Sequence, residues 1–381
     1  MALKIGIPTM SLSRPGLHLL DDKLHTAAQH GFQGIELFID DLTHLAATKF
    51  NNSLPAAAKH TSTLAKSLDL SIICLQPFGF YEGLLNRTQT ATLLTQKLPL
   101  WFTLARILNT DLIQIPANFL PNNPSTGLPT TTGDLSIIVS DLQTIADLGA
   151  AQGFRFVYEA LCWSTHIDTW EASWDVVKRV DRPNFGLCLD TFNIAGRIYA
   201  DPEAESGKTP DAEAAVAQSI TTLRNAVASG EMDVSKIFYV QLVDGERLEK
   251  PLDASHPFYV AGQPARMNWS RNARLFPCEE ERGGYLPVLE IARAFFEIGF
   301  QGWVSLELFS RTCNDVDPGT PGAHARRGME SWRRVVRALG LGVSVPQAVH
   351  AVGGSGKRKQ QQKKQQQLEE GDVAVAVQHR L

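Results

Sequence analysis

Seven apolar segments of the sequence each carry one polar side chain, near the carboxyl end, that can bind a cation or a proton. These side chains are Glu36, Gln76, Gln114, Glu159, Asp190, Gln241 and Glu307. The segments GFQGIELF (31–38) and GFQGWVSLELF (299–309) repeat one pattern, in which a glycine turn precedes an apolar run that contains a glutamate. A carboxylate in such a run is costly to bury unless a positive partner accompanies it.

Four of these side chains form a set that suits a hard divalent metal ion. Glu159, Asp190 and Glu307 supply three carboxylates, and Gln241 supplies a neutral amide oxygen. Oxygen ligands are those that Mg²⁺ and Mn²⁺ prefer, and they make a poor structural zinc site. We therefore predict a divalent cation, Mg²⁺, Mn²⁺ or Co²⁺, as the cofactor. Glu36 is expected to touch the substrate or to support the ligands, and it is a candidate catalytic residue.

Two later segments carry groups that can act on a substrate. His166 follows Glu159 by seven residues, and its imidazole can exchange a proton near neutral pH. The segment ARMNWSRNARLFPCEEERGG (265–284) contains Arg271 and Arg274, whose guanidinium groups can hold a planar carboxylate. The alternative for the arginines is a solvated charged surface. We predict a catalytic role for His166 and substrate binding by the two arginines, with Gln76 as a further substrate-binding residue.

The apolar segments alternate with segments of helical spacing. Strands are predicted at about 3–9, 34–39, 70–78, 111–119, 154–163, 185–194, 236–245 and 302–309. Helices are predicted at about 21–30, 55–68, 88–109, 134–151, 167–180, 211–229, 285–298 and 323–339. Near-continuous apolar strands indicate a parallel sheet that is covered on both faces, and eight such units predict a single-domain (β/α)8 TIM barrel. A doubly wound open sheet is the alternative, but no GxGxxG follows the first strand.

The sequence also predicts how the chain is divided. The barrel should span residues 1–342, with long connections at about 197–210 and 246–284 after the sixth and seventh strands. Such connections are often functional. Residues 343–381 contain GGSGKRKQQQKKQQQLEEGD, which is polar and of low complexity, so we predict a disordered tail.

Composition narrows the class of partner. The net charge of −4 gives no electrostatic reason to expect nucleic acid or an anionic membrane, and no apolar stretch reaches the length of a membrane span. The five cysteines form no CxxC pair, which is typical of an intracellular protein. We expect a cytoplasmic protein that acts on a small molecule; the sequence leaves the oligomeric state open.

Several quoted stretches resemble the sugar-phosphate isomerase/epimerase-like barrel superfamily, which includes xylose isomerase-like and endonuclease IV-like enzymes. Within it, residues 1–340 are most similar to the fungal 3-dehydroshikimate dehydratases of quinate degradation. The resemblance is carried by KIGIPTMSLS, GFQGIELF, LQPFGFYEGL, YEALCWSTHIDTW, GLCLDTFNIAGR, YVQLVDGERL, WSRNARLFPCEEERGGYLP and GWVSLELFSR. It implies a divalent metal on the same four residues that were chosen above by position and charge.

The resemblance also implies roles for single residues. Ser270 and Arg274 match the active-site serine and arginine of the loop after the seventh strand. Asn193 stands where bacterial relatives often have a histidine, and it is retained as a catalytic candidate although an amide does not transfer protons. Bacterial relatives often carry an arginine in the loop after QPF, where this chain has Gly79, Phe80 and Tyr81. Arg87 is predicted to bind the substrate in its place.

The activity implied is the metal-dependent conversion of 3-dehydroshikimate to protocatechuate and water, with His166 as the base. Three alternatives remain open at this point. A ketose isomerase or epimerase would use the same ligands but would not need an arginine clamp for a carboxylate. An endonuclease IV-like enzyme would need further histidine ligands and a basic groove. A non-enzymatic binding protein would bind metal without turnover.

Overall fold

Eight parallel strands close into a barrel in the computed structural model, which describes residues 3–346. The ten strands of this range are β1 (Lys4–Pro8), β2 (Gly34–Phe38), β3 (Ser71–Gln76), β4 (Leu112–Pro116), β5 (Arg155–Glu159), β6 (Phe185–Asp190), β7 (Ile237–Gln241), β8 (Asp244–Gly245), β9 (Arg274–Leu275) and β10 (Trp303–Ser305). Strands β1 to β7 pair in chain order, and β10 closes the ring between β7 and β1. The predicted (β/α)8 barrel is confirmed.

Helices surround the barrel. They are α1 (Thr9–Leu12), α2 (Leu20–Gln29), α3 (Ile39–Lys49), α4 (Leu54–Ser67), α5 (Arg87–Thr92), α6 (Leu98–Leu108), α7 (Leu135–Ala150), α8 (Trp170–Val180), α9 (Thr191–Ile198), α10 (Ala212–Ala228), α11 (Ala265–Ala273), α12 (Val288–Glu297) and α13 (Thr320–Leu339). A π-helical turn at Leu93–Lys97 joins α5 to α6. None of these helices combines the length and the apolar character needed to cross a membrane.

Glycines end two helices where the sequence pattern predicts a stop. Gly31 after α2 and Gly299 after α12 both have φ of 92°, a left-handed conformation that glycine adopts without steric cost. The chain then turns at once into β2 and approaches β10. The repeated glycine pattern therefore marks two places where a helix is followed closely by a barrel strand.

The alternation of side chains along the strands separates an apolar plug from a polar mouth. Cys74, Leu112, Val157, Cys188 and Tyr239 form a buried cluster drawn from five consecutive strands. Each of these residues lies two positions before a polar strand-end residue of the predicted set, so both point to the same face of the strand. The polar side chains consequently sit above the plug, at the carboxyl ends of the strands.

The connection after β7 is long, as predicted, but it has structure of its own. Strands β8 and β9 pair antiparallel, and α11 lies between them in the chain. The predicted strand at 185–194 ends at Asp190, and α9 begins at the next residue. The predicted disordered tail, from residue 347 onward, lies outside the described residues. Its boundary at residue 342 stays a prediction.

Candidate active site

The carboxyl ends of four strands bring the predicted metal ligands together. Glu159, Asp190 and Gln241 are the last residues of β5, β6 and β7, and Glu307 lies two residues beyond β10. All four are at most 4% exposed. The carboxylates of Glu159, Asp190 and Glu307 each offer an oxygen, and these three atoms lie within 4.8 Å of one another. That spacing allows one ion to contact all three carboxylates.

The two carboxylate oxygens of Asp190 accept hydrogen bonds from different groups. Its Oδ1 accepts the backbone N–H of Phe192 at 2.7 Å and so caps the first turn of α9. Its Oδ2 accepts from Asn193 Nδ2 at 2.8 Å and from Arg274 Nη1 at 3.0 Å. The capping bond fixes the carboxylate, so that the second oxygen is presented to the centre of the site.

Arg274 is buried among the acidic side chains, where it is 1% exposed. Its Nη1 bridges Asp190 Oδ2 and Glu307 Oε2, the latter at 2.7 Å, and its Nε donates to Ser270 Oγ at 2.9 Å. The guanidinium also lies 4.3 Å from the ring centre of Phe192. Ser270 and Arg274, the two residues that the resemblance implied, thus lie together beside the acidic group, and Arg274 is the basic partner of the carboxylates.

Two neutral amides hold Glu159. Asn193 Nδ2 donates to Glu159 Oε1 at 2.9 Å, and Asn193 Oδ1 accepts the backbone N–H of Cys162 at 3.1 Å. Gln114 Nε2 donates to the other oxygen of Glu159. The structure therefore brings Asn193 into the site as a hydrogen-bond donor to two carboxylates.

Burial raises the pKa of all three carboxyl groups. Burial is the largest cause at Glu159, whose pKa is raised well above its ordinary value, with Glu307 and Asp190 adding to the shift. Burial raises the pKa of Glu307 to about 8, although Arg274 opposes the change. Asp190 follows the same pattern. Three carboxyl groups share one guanidinium here, so a further positive charge would stabilise their ionised forms.

Glu36 lies beneath this group and is fully buried. Its carboxylate accepts from Gln76 Nε2 at 2.6 Å, from the Tyr239 hydroxyl at 2.9 Å and from Gln241 Nε2 at 3.1 Å. Burial raises the pKa of Glu36, and the hydrogen bonds from Gln241 and Tyr239 oppose the shift. Glu36 does not line the small cavity over the carboxylates or the larger cavity beside it, both of which are described below. It is connected to the site through Gln241.

A cavity of about 180 Å³ lies over the carboxylates. Its polar lining consists of Gln76, Gln114, Glu159, Ser270, Arg271, Arg274 and Glu307. A larger cavity of about 1050 Å³ shares Phe119, Trp163 and Arg271 with it. Arg271 Nη1 donates to Gln263 Oε1 at 3.2 Å. Arg271 therefore stands where a solute passing from the larger cavity would meet the smaller one.

Two predicted site residues lie elsewhere. His166 Nε2 is 3.1 Å from Thr131 Oγ1, and the described residues that line either cavity do not include His166. Arg87 forms a two-pronged ion pair with Asp141, in which Nη1 lies 3.0 Å from Oδ2, and it also donates to the Leu84 carbonyl. The structure does not bring either side chain to the carboxylates, and their predicted roles stay predictions.

The aromatic walls of the small cavity were not predicted as site residues. They include Phe38, Phe119, Trp163 and Phe309. A signal for one of them was present, because Phe309 follows Glu307 by two residues and the alternation of an extended chain places both on one face. Trp163 comes after the end of β5, where the loop conformation decides its direction and alternation no longer applies.

The fold and the acidic site define the class of protein. Residues 24–335 match the sequence model of a protein family described as xylose isomerase-like TIM barrel, and the chain belongs to that family.

Similar proteins narrow the comparison. The chain is 50% identical over 361 residues to a 3-dehydroshikimate dehydratase of Neurospora crassa, covering 91% of this chain and 97% of that protein. A 3-dehydroshikimate dehydratase of Pseudomonas aeruginosa is 27% identical over 305 residues, which are 80% of this chain and 38% of that protein. Among solved structures, the chain is similar to a xylose isomerase-like TIM barrel/4-hydroxyphenylpyruvate dioxygenase fusion protein, with 25% identity and a TM-score of 0.66. The match covers 89% of this chain and 44% of the fusion protein.

Proposed function

We propose that this protein is a 3-dehydroshikimate dehydratase, which removes water from 3-dehydroshikimate to give protocatechuate. The observation that carries the proposal is the 50% identity to the Neurospora crassa enzyme over nearly the full length of both chains. The site is compatible with this substrate, because acidic and basic side chains share one small cavity. The free cysteines fit a reducing compartment, and a cytoplasmic location is part of the proposal.

The acidic group fits a divalent cation. Gln241 Oε1 is buried and has no hydrogen-bond partner among the described residues, so this oxygen is available as a ligand beside the three carboxylates. We propose that Glu159, Asp190, Gln241 and Glu307 would hold Mg²⁺, Mn²⁺ or Co²⁺, since all four donors are oxygens. When bound, such a cation supplies Lewis-acid polarisation of a ketone oxygen, which acidifies the neighbouring C–H.

The reaction needs a carboxylate holder and a proton acceptor. The substrate loses a proton from the carbon next to its ketone and a hydroxyl group from the following carbon, and the ring then rearranges to the aromatic product. We propose that Arg271 and Arg274, which both line the small cavity, hold the substrate carboxylate. Ser270 positions Arg274 through the bond to Nε.

His166 remains our proposed base, and its contact with Thr131 provides a test. If His166 takes the proton, His166→Asn should lower kcat by about 10²- to 10⁴-fold. Thr131→Val removes the same 3.1 Å contact and keeps the imidazole, so this variant should retain most of the rate. Equal losses in the two variants would mean that His166 anchors the loop and that the base lies elsewhere.

The proposed function is tested by following protocatechuate absorbance. Purified protein is mixed with 3-dehydroshikimate and Mg²⁺, Mn²⁺ or Co²⁺, and a parallel sample contains a chelator. Product that forms with metal, stops with chelator and returns on adding excess metal supports both the reaction and the cofactor. Folded protein that gives no product with any of the three cations contradicts the proposal, and a panel of ketoses would then test the isomerase alternative.

A further inference from the structure

A glutamine that binds a cation must present the correct end of its amide. Gln241 has an oxygen that can be a ligand and an NH₂ group of almost the same shape that cannot. Rotation of the amide by half a turn exchanges the two ends with little change in packing. Some neighbouring group must therefore select the orientation in which the oxygen is left free.

The amide nitrogen of Gln241 faces carboxylate oxygens in this structure, and Glu36 supplies two of the three. Gln241 Nε2 lies 3.1 Å from each carboxylate oxygen of Glu36 and 3.2 Å from Glu307 Oε1. The amide oxygen Oε1, by contrast, is buried and has no partner among the residues described. In the rotated amide, Oε1 would face both carboxylate oxygens of Glu36 and Oε1 of Glu307, all of which accept hydrogen bonds in this structure, and this repulsion disfavours the rotated form.

Glu36 can act in this way because it is itself fixed. Gln76 Nε2 donates to Glu36 Oε2 at 2.6 Å, the Tyr239 hydroxyl donates at 2.9 Å, and the Cys74 thiol lies at 3.7 Å. These donors come from β3 and β7, on either side of the barrel interior, so they hold the carboxylate from two directions. Glu36 is also fully buried, and it does not belong to the residues that line the small cavity.

We propose that Glu36 is a positioning residue whose carboxylate fixes the amide of Gln241, so that Oε1 faces the group formed by Glu159, Asp190 and Glu307. This inference rests on the metal site of the proposed function. In this proposal the Glu36 carboxylate acts through Gln241 and not on the substrate, in place of the predicted catalytic role.

The first test is the affinity for Mn²⁺, measured by equilibrium titration of the full chain without substrate. Glu36→Gln keeps the size of the side chain but supplies both a donor and an acceptor, so Gln241 can adopt either orientation. We expect the affinity to fall by about 10- to 100-fold, the usual effect of removing a group that orients a ligand. Glu82→Gln is the matched control, because Glu82 is also fully buried but binds Asn118 and Tyr158 instead.

A second variant separates orientation from folding. A glutamate in place of Gln241 would offer a carboxylate oxygen in either orientation of the side chain. The double variant Glu36→Gln and Gln241→Glu therefore needs no neighbouring group to fix that orientation. We expect the double variant to recover most of the Mn²⁺ affinity that Glu36→Gln loses. If Glu36 only stabilised the fold, Glu36→Gln would lower the melting temperature and leave the Mn²⁺ affinity unchanged. A single variant Glu36→Gln with wild-type affinity, or a double variant with no recovery, overturns the inference. Wild-type protein that binds no Mn²⁺ would instead overturn the metal site on which the inference rests.

Discussion

Two groups of buried charges in this protein are built on opposite principles. In one, Lys23 Nζ lies 2.6 Å from Asp41 Oδ1 and donates to the Ser13 carbonyl at 2.7 Å, and both charged side chains are at most 1% exposed. One positive group faces one negative group. A pair of this kind is balanced in charge, because each ion supplies the charge that the other needs in a poorly solvated place.

The group at the barrel mouth is not balanced in this way. Glu159, Asp190 and Glu307 share the guanidinium of Arg274, and burial raises the pKa of each carboxyl. Such an arrangement costs stability unless protons or a cation compensate it. The comparison of the two groups shows that burial of charge alone does not indicate a functional site in this protein. The excess of carboxylates, placed beside a cavity, distinguishes the candidate active site from the structural pair.

Removal of a carboxylate from the unbalanced group should have the largest effect. Glu159→Ala and Glu307→Ala should each lower turnover by on the order of 10³-fold or more, because the Lewis acid that we propose they would hold contributes several kcal/mol. Turnover and bound metal are measured on the same folded samples. A variant that keeps the full rate with unchanged metal content would show that the ligand assignment is wrong.

Breaking the balanced pair should affect stability and spare the chemistry. Lys23→Met leaves Asp41 buried without its ion partner, so the free energy of unfolding should fall by about 3–5 kcal/mol. The double variant with Asp41→Leu removes both charges and should recover much of the loss. Urea unfolding measures both changes, and kcat of the folded protein should stay near the wild-type value. A loss below about 1 kcal/mol in Lys23→Met would contradict this view of the pair.

Glu82 provides a third case, a buried carboxyl whose hydrogen bonds come from neutral groups. It accepts from the Asn118 backbone N–H at 2.6 Å and the Tyr158 hydroxyl at 3.1 Å, and burial raises its pKa to about 7. Because the folded-state pKa lies above the ordinary value of 4.5, the protonated form favours the fold, and stability is lost as the pH rises from about 4.5 through 7.

Glu82→Gln should therefore stabilise the protein at pH 8 by up to about 3 kcal/mol relative to wild type, and much less at pH 5. The glutamine keeps an acceptor for Asn118 and removes the buried charge. Thermal or urea unfolding at the two pH values measures the effect. A difference between the proteins that is the same at both pH values would mean that Glu82 does not titrate in this range.

The smallest effect is expected at the entrance of the cavity. If Arg271 binds the substrate carboxylate as proposed, Arg271→Gln removes one charged hydrogen-bond donor, and KM should rise by about 10-fold, which corresponds to about 1.4 kcal/mol. Arg155 forms an exposed ion pair with Asp111, and Arg155→Gln is the control that should leave KM unchanged. Equal KM values for Arg271→Gln and wild type would exclude Arg271 as a substrate ligand.

The strands and most helices were predictable because their signals are local. Apolar runs and glycine stops placed all eight barrel strands, and with them the polar residues near the carboxyl ends of seven of these strands. Helix α3 was missed because it begins directly after β2, where Phe38 offers no side-chain cap. Helix α9 was missed because the apolar run continues past Asp190; the capping ability of aspartate was the signal that could have ended the strand there.

The parts of the site that depend on loops were less predictable. Arg87 meets Asp141 and His166 meets Thr131, and both contacts join segments that are distant in the sequence. No local pattern distinguishes such a contact from one with the substrate. Arg274 was predicted as a substrate ligand from its guanidinium group and the family resemblance, but only the fold shows that it also bridges Asp190 and Glu307.

The most direct test of the central claim is the binding of Mn²⁺ by the wild-type chain and by Glu159→Ala. If the excess of carboxylates is a cation site, wild-type protein should bind one Mn²⁺ and gain about 2.7 kcal/mol of stability at a free concentration of 100 times Kd. Glu159→Ala should lose the tight binding, and Glu82→Gln should keep it. Wild-type protein that produces protocatechuate at full rate in chelator, with no Mn²⁺ bound, would contradict the account.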